Sequence, residues 1–171
     1  MNTKIASLVI LLALAVTTGF GQEKSKKQIK EEQKIEKQKQ TEALINSKEF
    51  VFIATTAFPQ GYPSVNLASN PNFVKFSPDL VKSYMPYYGK AYSGVGYGGD
   101  TGLKYEAKPE EFTITKGKKN FEVKAVVKGD NDSYTLMLTV TFEGSASLYI
   151  NSHNRSPISY NGEIFPPGYI K

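Results

Sequence analysis

Apolar and polar residues alternate with a period of two through most of the second half of the chain. Phe121, Val123, Ala125 and Val127 fall on one parity, with Glu122 and Lys124 on the other. Tyr134, Leu136, Leu138, Val140 and Phe142 repeat the pattern against Thr135, Met137, Thr139 and Thr141. Ala146, Leu148 and Ile150 continue it, and Phe112 and Ile114 alternate with Thr113 and Thr115. Successive side chains of a strand point to opposite faces, so the pattern predicts strands with one buried and one solvated face. The segments between them are short and rich in turn formers: Lys116 to Asn120, Gly129 to Ser133, Glu143-Gly144-Ser145 and Ser152 to Pro157. Such connections join antiparallel hairpins. Ile158 and Tyr160 begin a last strand, and Pro166-Pro167-Gly168 ends it in a loose tail.

The first half reads differently. Phe50 to Thr56, F-V-F-I-A-T-T, is apolar on both parities, which predicts a strand buried on both faces. The end of the preceding helix is the nearest cover for the second face. Shorter extended pieces follow at Val65 to Leu67, Asn72 to Phe76 and Leu80 to Tyr84, set apart by Pro59 to Pro63, Asn70-Pro71 and Pro78-Asp79. Upstream, Gln22 to Lys48 is dominated by Lys, Glu and Gln, with neither Gly nor Pro, and predicts a helix. Its apolar residues (Ile29, Ile35, Ala43, Leu44, Ile45) are too sparse for a coiled-coil seam. A solvated helix or spacer is expected, with only Thr41 to Ser47 packing on the domain. No helix follows a later strand, which excludes βαβ folds. The fold class is α+β and mostly β: an antiparallel meander of about seven to nine strands, as a curved sheet or open barrel, with one N-terminal helix. The boundaries read as a leader at 1–21, a polar helix at 22–47, the β domain at 48–165 and a tail at 166–171.

The leader carries Lys4, an apolar run from Ile5 to Val16 and small residues at Gly19 and Gly21. The run is short for a membrane span and predicts a cleaved signal peptide, hence a periplasmic or secreted protein with no transmembrane segment after cleavage. Cysteine is absent from the 171 residues, which excludes disulfides, thiolate nucleophiles, thiolate metal sites and lipoprotein-type acylation. The net charge of +5 is spread along the chain, Lys4 leaves with the leader, and Arg155 is the single arginine. A nucleic-acid partner is therefore not expected.

Several stretches resemble reactive motifs without their context. Gly94 to Gly99 contains G-x-G-x-x-G, but Pro86, Gly89 and Gly102 around it leave no helix to receive a phosphate. His153 is the only histidine and lies in a turn beside Ser152 and Ser156, too close in sequence for a triad. Asp130-Asn131-Asp132 has oxygen ligands at alternate positions but lacks the Gly and distant Glu of a calcium loop. Glu110 and Glu111 are adjacent in a strand and face opposite ways. No catalytic, cofactor-binding or metal-binding residue is predicted. The positive signal is Tyr84 to Tyr105, which holds six of the eleven tyrosines and six of the fourteen glycines. Tyr rings give flat apolar area and a hydroxyl at low entropy cost, and Gly lets a ligand approach the backbone. Tyr87, Tyr88, Tyr92 and Tyr97, with Arg155 for an anionic group, form the candidate ligand or partner surface. The alternative is that Tyr84, Tyr88 and Tyr92 fill a β core.

Three segments together carry a family resemblance: F-V-F-I-A-T-T-A-F-P-Q-G, M-P-Y-Y-G-K-A-Y and S-A-S-L-Y-I-N-S-H-N-R-S-P-I-S-Y-N-G-E-I. They resemble a bacterial family of exported proteins known as domain of unknown function 4251. Its central motif reads like Leu-Pro-Tyr-Phe-Gly-Arg-Ala, with Met85, Tyr88 and Lys90 in the Leu, Phe and Arg places here. Its closing motif is matched by Asn154, Arg155, Ile158, Ser159, Tyr160 and Gly162. The resemblance spans Lys48 to Ile164 and implies an exported, often lipid-anchored protein of no assigned activity. With no cysteine, the lipid anchor is not expected here. The reading is an exported non-enzymatic binding or structural module of the periplasm or envelope, partnered by an envelope polymer, lipid or protein. The alternatives are a hydrolase using scattered carboxylates, and an assembly or inhibitor-like protein using a sheet edge.

Overall fold

Among the described residues ten strands form one antiparallel sheet, and its first and last strands lie side by side in the middle. The computed structural model describes residues 25–92, 102–129 and 132–170. The expected leader, the Gly94 to Gly99 loop with Tyr97, and Asp130-Asn131 lie outside them. The strands are β1 (Phe50–Pro59), β2 (Val65–Asn66), β3 (Phe73–Phe76), β4 (Val81–Met85), β5 (Leu103–Ala107), β6 (Pro109–Lys116), β7 (Asn120–Lys128), β8 (Ser133–Thr141), β9 (Ser145–Ser152) and β10 (Ile158–Phe165). Their order is β5-β4-β3-β1-β10-β9-β8-β7-β6, with β2 added beside β1. Every pairing is antiparallel. The expected meander is present, joined into a near-barrel by β1 against β10. Strands β5 and β6 end the order although Lys108 alone separates them in sequence. Across the interior Tyr105 of β5 stacks on Tyr134 of β8, with ring centroids 4.2 Å apart.

The alternating segments bury the parity expected of them. Phe121, Val123, Ala125 and Val127 of β7 and Leu136, Leu138 and Val140 of β8 are all in the core. Strand β1 contributes Phe50, Phe52 and Ala54, then shifts parity to Ala57. The shift is a bulge between Ala54 and Thr56, opposite Gly162 and Asn161. A bulge adds one residue to one strand and turns the following side chains over. A Cβ on Gly162 would overlap the Ile53 carbonyl oxygen, so the backbones approach there as only glycine permits.

The helix α1 (Lys26–Asn46) opens with a reciprocal cap. Gln28 N–H donates to Ser25 Oγ at 3.3 Å and Ser25 N–H to Gln28 Oε1 at 2.9 Å. Residues up to Gln33 form a separate unit from Lys34–Lys171. Within the larger unit, Thr41 and Ile45 are the buried positions of the helix, and Ile45 joins the same core as Phe50 and Phe52. The helix end therefore packs on the core side of β1. On the second face of β1 Val51 is fully buried and pairs with Phe165 of β10. A short 3-10 helix, Pro167–Tyr169, packs against β1, and the Tyr169 ring stacks on Phe165 at 4.1 Å. The tail expected to be loose is docked because β1 presents apolar residues on both faces. No helix among the described residues is long and apolar enough to cross a membrane.

Gly162→Ala tests the bulge. The clash is with backbone, so neighbouring side chains cannot relieve it, and the variant should lose about 2–3 kcal/mol in urea unfolding. A loss within experimental error would show that the close approach at Ile53 is not a constraint.

Candidate functional site

The two segments flanking the sheet's long connections bind each other. Ala91 and Arg155 form an isolated antiparallel bridge. Ser156 N–H donates to the Lys90 carbonyl at 2.9 Å and Tyr92 N–H to the Asn154 carbonyl at 2.8 Å. The Tyr87 hydroxyl lies 2.8 Å from the Ser156 carbonyl, 2.9 Å from that of Lys90 and 2.8 Å from Ser156 Oγ. Ser156 Oγ in turn accepts from Lys90 N–H at 3.0 Å. A Cβ on Gly89 would overlap the Tyr87 hydroxyl, so the glycine makes room for this junction. Tyr160, in β10, donates its hydroxyl to the Pro86 carbonyl at 2.8 Å.

Arg155 and Asp132 extend the junction. The guanidinium lies over the Tyr87 ring at 5.3 Å, its Nη1 donates to the Gly102 carbonyl at 3.3 Å, and its Nε is 3.9 Å from Asp132 Oδ2. The Arg155 and Asp132 side chains are only 11% and 7% exposed. Asp132 also accepts from Ser152 Oγ at 2.5 Å and from the amides of Ser133, His153 and Asn154 at 2.8, 3.1 and 3.2 Å. A buried carboxylate with this many donors ties the β7–β8 turn to the β9–β10 connection. His153 contributes its backbone to that turn, and the residue is exposed.

Burial raises the pKa of four tyrosines at this end of the sheet. For Tyr87 desolvation outweighs the opposing hydrogen bond from Ser156 and the charge of Arg155. For Tyr134 desolvation is reinforced by the Asp132 carboxylate. Tyr105 and Tyr160 are pushed up far more strongly, by desolvation first. Among the described residues the buried Tyr105 hydroxyl has no partner in hydrogen-bonding geometry. Ser83, which faces it across β4–β5, gives its own proton to the Leu103 carbonyl at 2.7 Å.

The outer face of the sheet carries a different array. Ile53 faces Glu163 on one side, and Phe52 opposite Val74 sets Phe73 beside Ile53 on the other. Phe73 pairs with Tyr84, and Tyr84 with Lys104. One cross-strand row thus runs Ile53, Phe73, Tyr84, Lys104. The Phe73 and Tyr84 rings stack at 6.0 Å, Lys104 Nζ sits 4.3 Å over Tyr84, and Lys75 Nζ lies 5.7 Å from the Phe73 ring. Two depressions meet along this row. One, of about 570 Å³, is lined by Ile53, Asn70, Asn72, Phe73, Tyr84 and Tyr169 among others. The second, of about 320 Å³, is lined by Asn70, Tyr84, Tyr87, Tyr88, Gly102 and Lys104 among others. Asn70, Pro71 and Tyr84 belong to both. Asn70 Nδ2 reaches the Tyr88 hydroxyl at 3.5 Å.

The candidates named from sequence therefore divide. Tyr87 and Tyr88 line the smaller depression, Tyr87 with its hydroxyl committed to the junction. Arg155 lies beneath it as a packing and hydrogen-bonding partner of Tyr87. Tyr92, at the end of the bridge, is 71% exposed and lines neither depression. Phe73, Asn70 and Tyr169 were not singled out by sequence. Phe73 is legible only through its pairing with Tyr84, and Tyr169 only once the tail is seen to fold back. Among the described residues no group of three His, Cys, Asp or Glu side chains could hold a metal. Glu111 pairs with Lys124 at 2.7 Å and Glu110 is exposed beside a bulge in β6, so neither lines the depressions.

Two outcomes follow from this geometry. Tyr87→Phe should cost about 1–2 kcal/mol in urea unfolding, because it removes the one buried hydroxyl shared among the Ser156 side chain and the Ser156 and Lys90 carbonyls. The contribution of the buried tyrosines to stability should be flat below about pH 10 and fall above it. The four tyrosines ionise in the unfolded chain near 10.0 but at higher pH when folded, so the unfolded state binds fewer protons there. Tyr105→Phe should keep the stack on Tyr134, remove the orphan hydroxyl and make the alkaline fall in melting temperature shallower. An unchanged slope would contradict the burial of that group.

A family model described as "Domain of unknown function (DUF4251)" matches residues 32–164. Among solved structures, a DUF4251 family protein from Bacteroides eggerthii DSM 20697 superposes with a TM-score of 0.59 at 19% identity, covering 76% of this chain and 87% of its own. That likeness is one of fold. No curated protein matches the chain. The matched region takes in the whole of β1 to β9 and all but the last residue of β10, with both segments of the Tyr87 junction, and the chain belongs to the DUF4251 family.

Proposed function

We propose that this protein is an exported, non-enzymatic binding module of the cell envelope, and that the outer-face row of Phe73 and Tyr84 is its ligand surface. The observation that carries this reading is the row itself. Two stacked rings stand on rigid, paired strands, with Tyr84 39% exposed, between two depressions that share an amide side chain, Asn70. Isolated exposed aromatics are ordinary, but a stacked pair in a groove costs hydration that only a partner would recover. Flat rings, amides and a lysine ammonium suit a saccharide polymer, whose sugar faces stack and whose hydroxyls take hydrogen bonds. The leader-like segment at 1–21 is consistent with delivery to such a polymer. Hydrolysis of a glycan needs two carboxylates facing one cleft. The two depressions beside Tyr84 present none among the described residues, which favours binding over cleavage.

Sedimentation with purified peptidoglycan sacculi and with an insoluble β-glucan tests the reading. The wild type should pellet with at least one of them. Phe73→Ala/Tyr84→Ala should weaken that binding about tenfold or more, the effect of losing roughly 1–2 kcal/mol per ring of apolar contact. Tyr92→Ala, away from the groove, should bind as the wild type does. Binding that survives loss of both rings with the fold intact would remove this surface from consideration.

A further inference from the structure

A third depression, of about 570 Å³, lies on the larger unit away from the aromatic row. Its wall is built from Lys34 and Gln38 of α1, Lys118 and Lys119 of the β6–β7 turn, Thr141 at the end of β8, Phe142 and Glu143 of the turn that follows, and Ser145 at the start of β9. Two ion pairs tie the helix to the β8–β9 turn and to the end of β6. Lys34 Nζ meets Glu143 Oε1 at 2.9 Å, and Lys116 pairs with Glu42. The first of these uses the one carboxylate in the lining and, with a contribution from Lys37, holds its pKa below the usual range. Lys118 and Lys119 carry no ion pair with any described residue. Phe142, set edge-on against Phe121 at 5.3 Å, gives the depression an apolar floor.

We infer that this depression is a phosphate-binding site, with Lys118 and Lys119 supplying the charge and Thr141, Ser145 and Gln38 the hydrogen-bond donors. Two ammonium groups on one three-residue turn repel each other, and an anion between them relieves that repulsion. Compact ammonium donors with adjacent hydroxyls match the three acceptor oxygens of a phosphate ester. The apolar floor suits the organic part of the ester. The site rests on no property of the aromatic groove. The same phosphate chemistry is offered by a soluble phosphate ester and by an anionic lipid headgroup.

Backbone amide shifts in a titration with inorganic phosphate, and sedimentation with phosphatidylglycerol against phosphatidylcholine vesicles, separate those two sources. Phosphate should move the amides of Lys118, Lys119, Thr141 and Ser145, or phosphatidylglycerol vesicles alone should pellet the protein. In either arm Lys118→Ala/Lys119→Ala should weaken binding about tenfold at about 0.15 M salt. Lys108→Ala/Lys128→Ala removes the same charge elsewhere and should leave binding within about twofold. Equal weakening by both double variants would reduce the effect to net charge and overturn the site. So would the absence of binding in both arms.

Discussion

The pairing of β1 with β10 is the constraint on which the rest of the molecule depends. It joins the first strand to the last, so the chain must be complete before either half of the sheet is secured. Loop-closure entropy makes such a contact slow to form, and the hydrophobic residues of β1 repay it by reaching core on one face and the C-terminal turn on the other. The bulge at Ala54 and Thr56 is where this pairing adapts. It moves the buried parity from Ala54 to Ala57 and sharpens the local twist that curls the sheet. Gly162 is the residue that lets the two backbones meet there.

With that seam closed, the sheet has an inside and an outside with separate tasks. Inside, one end is apolar and the other is a network of Tyr87, Tyr105, Tyr134, Tyr160, Asp132 and Arg155. That network knits together the connections between strands. Outside, β1, β3 and β4 lie in a register that sets Ile53, Phe73 and Tyr84 in one row. The row is an outcome of strand register alone, since a slip of one residue in β3 would bury Phe73 and expose Val74. A surface of this kind is as rigid as the sheet beneath it, which limits the entropy lost on binding.

Much of the frame was legible in the sequence. The period of two gave β7, β8 and β9 with their buried residues, and the Lys/Glu/Gln composition gave the helix. The doubly apolar F-V-F-I-A announced a strand covered on both faces. What local pattern could not carry was long-range pairing. Nothing in F-V-F-I-A states that β10 will lie beside it, or that Tyr169 will return to cover it. The tyrosine cluster supplies Tyr87 and Tyr88 to the smaller depression, but the roles of its side chains depend on three-dimensional placement. Pro86 and Gly89 bend the chain so that the Tyr87 hydroxyl turns inward to Ser156, while Tyr88 stays at the groove. Arg155 was singled out for an anionic group because it is the only guanidinium, and its place in the fold is against Tyr87, Gly102 and Asp132. A lone arginine gives no sequence signal of whether its partners are internal.

Native-state hydrogen exchange of the β1 and β10 amides tests the central claim most directly. If their pairing closes a single cooperative sheet, amides on both sides of the seam, in β3 and β4 and in β8 and β9, should exchange only through global unfolding, with one common free energy. Two distinct exchange classes, with β3, β4 and β5 opening while β6 to β10 stay protected, would show two independent sheets and contradict the account.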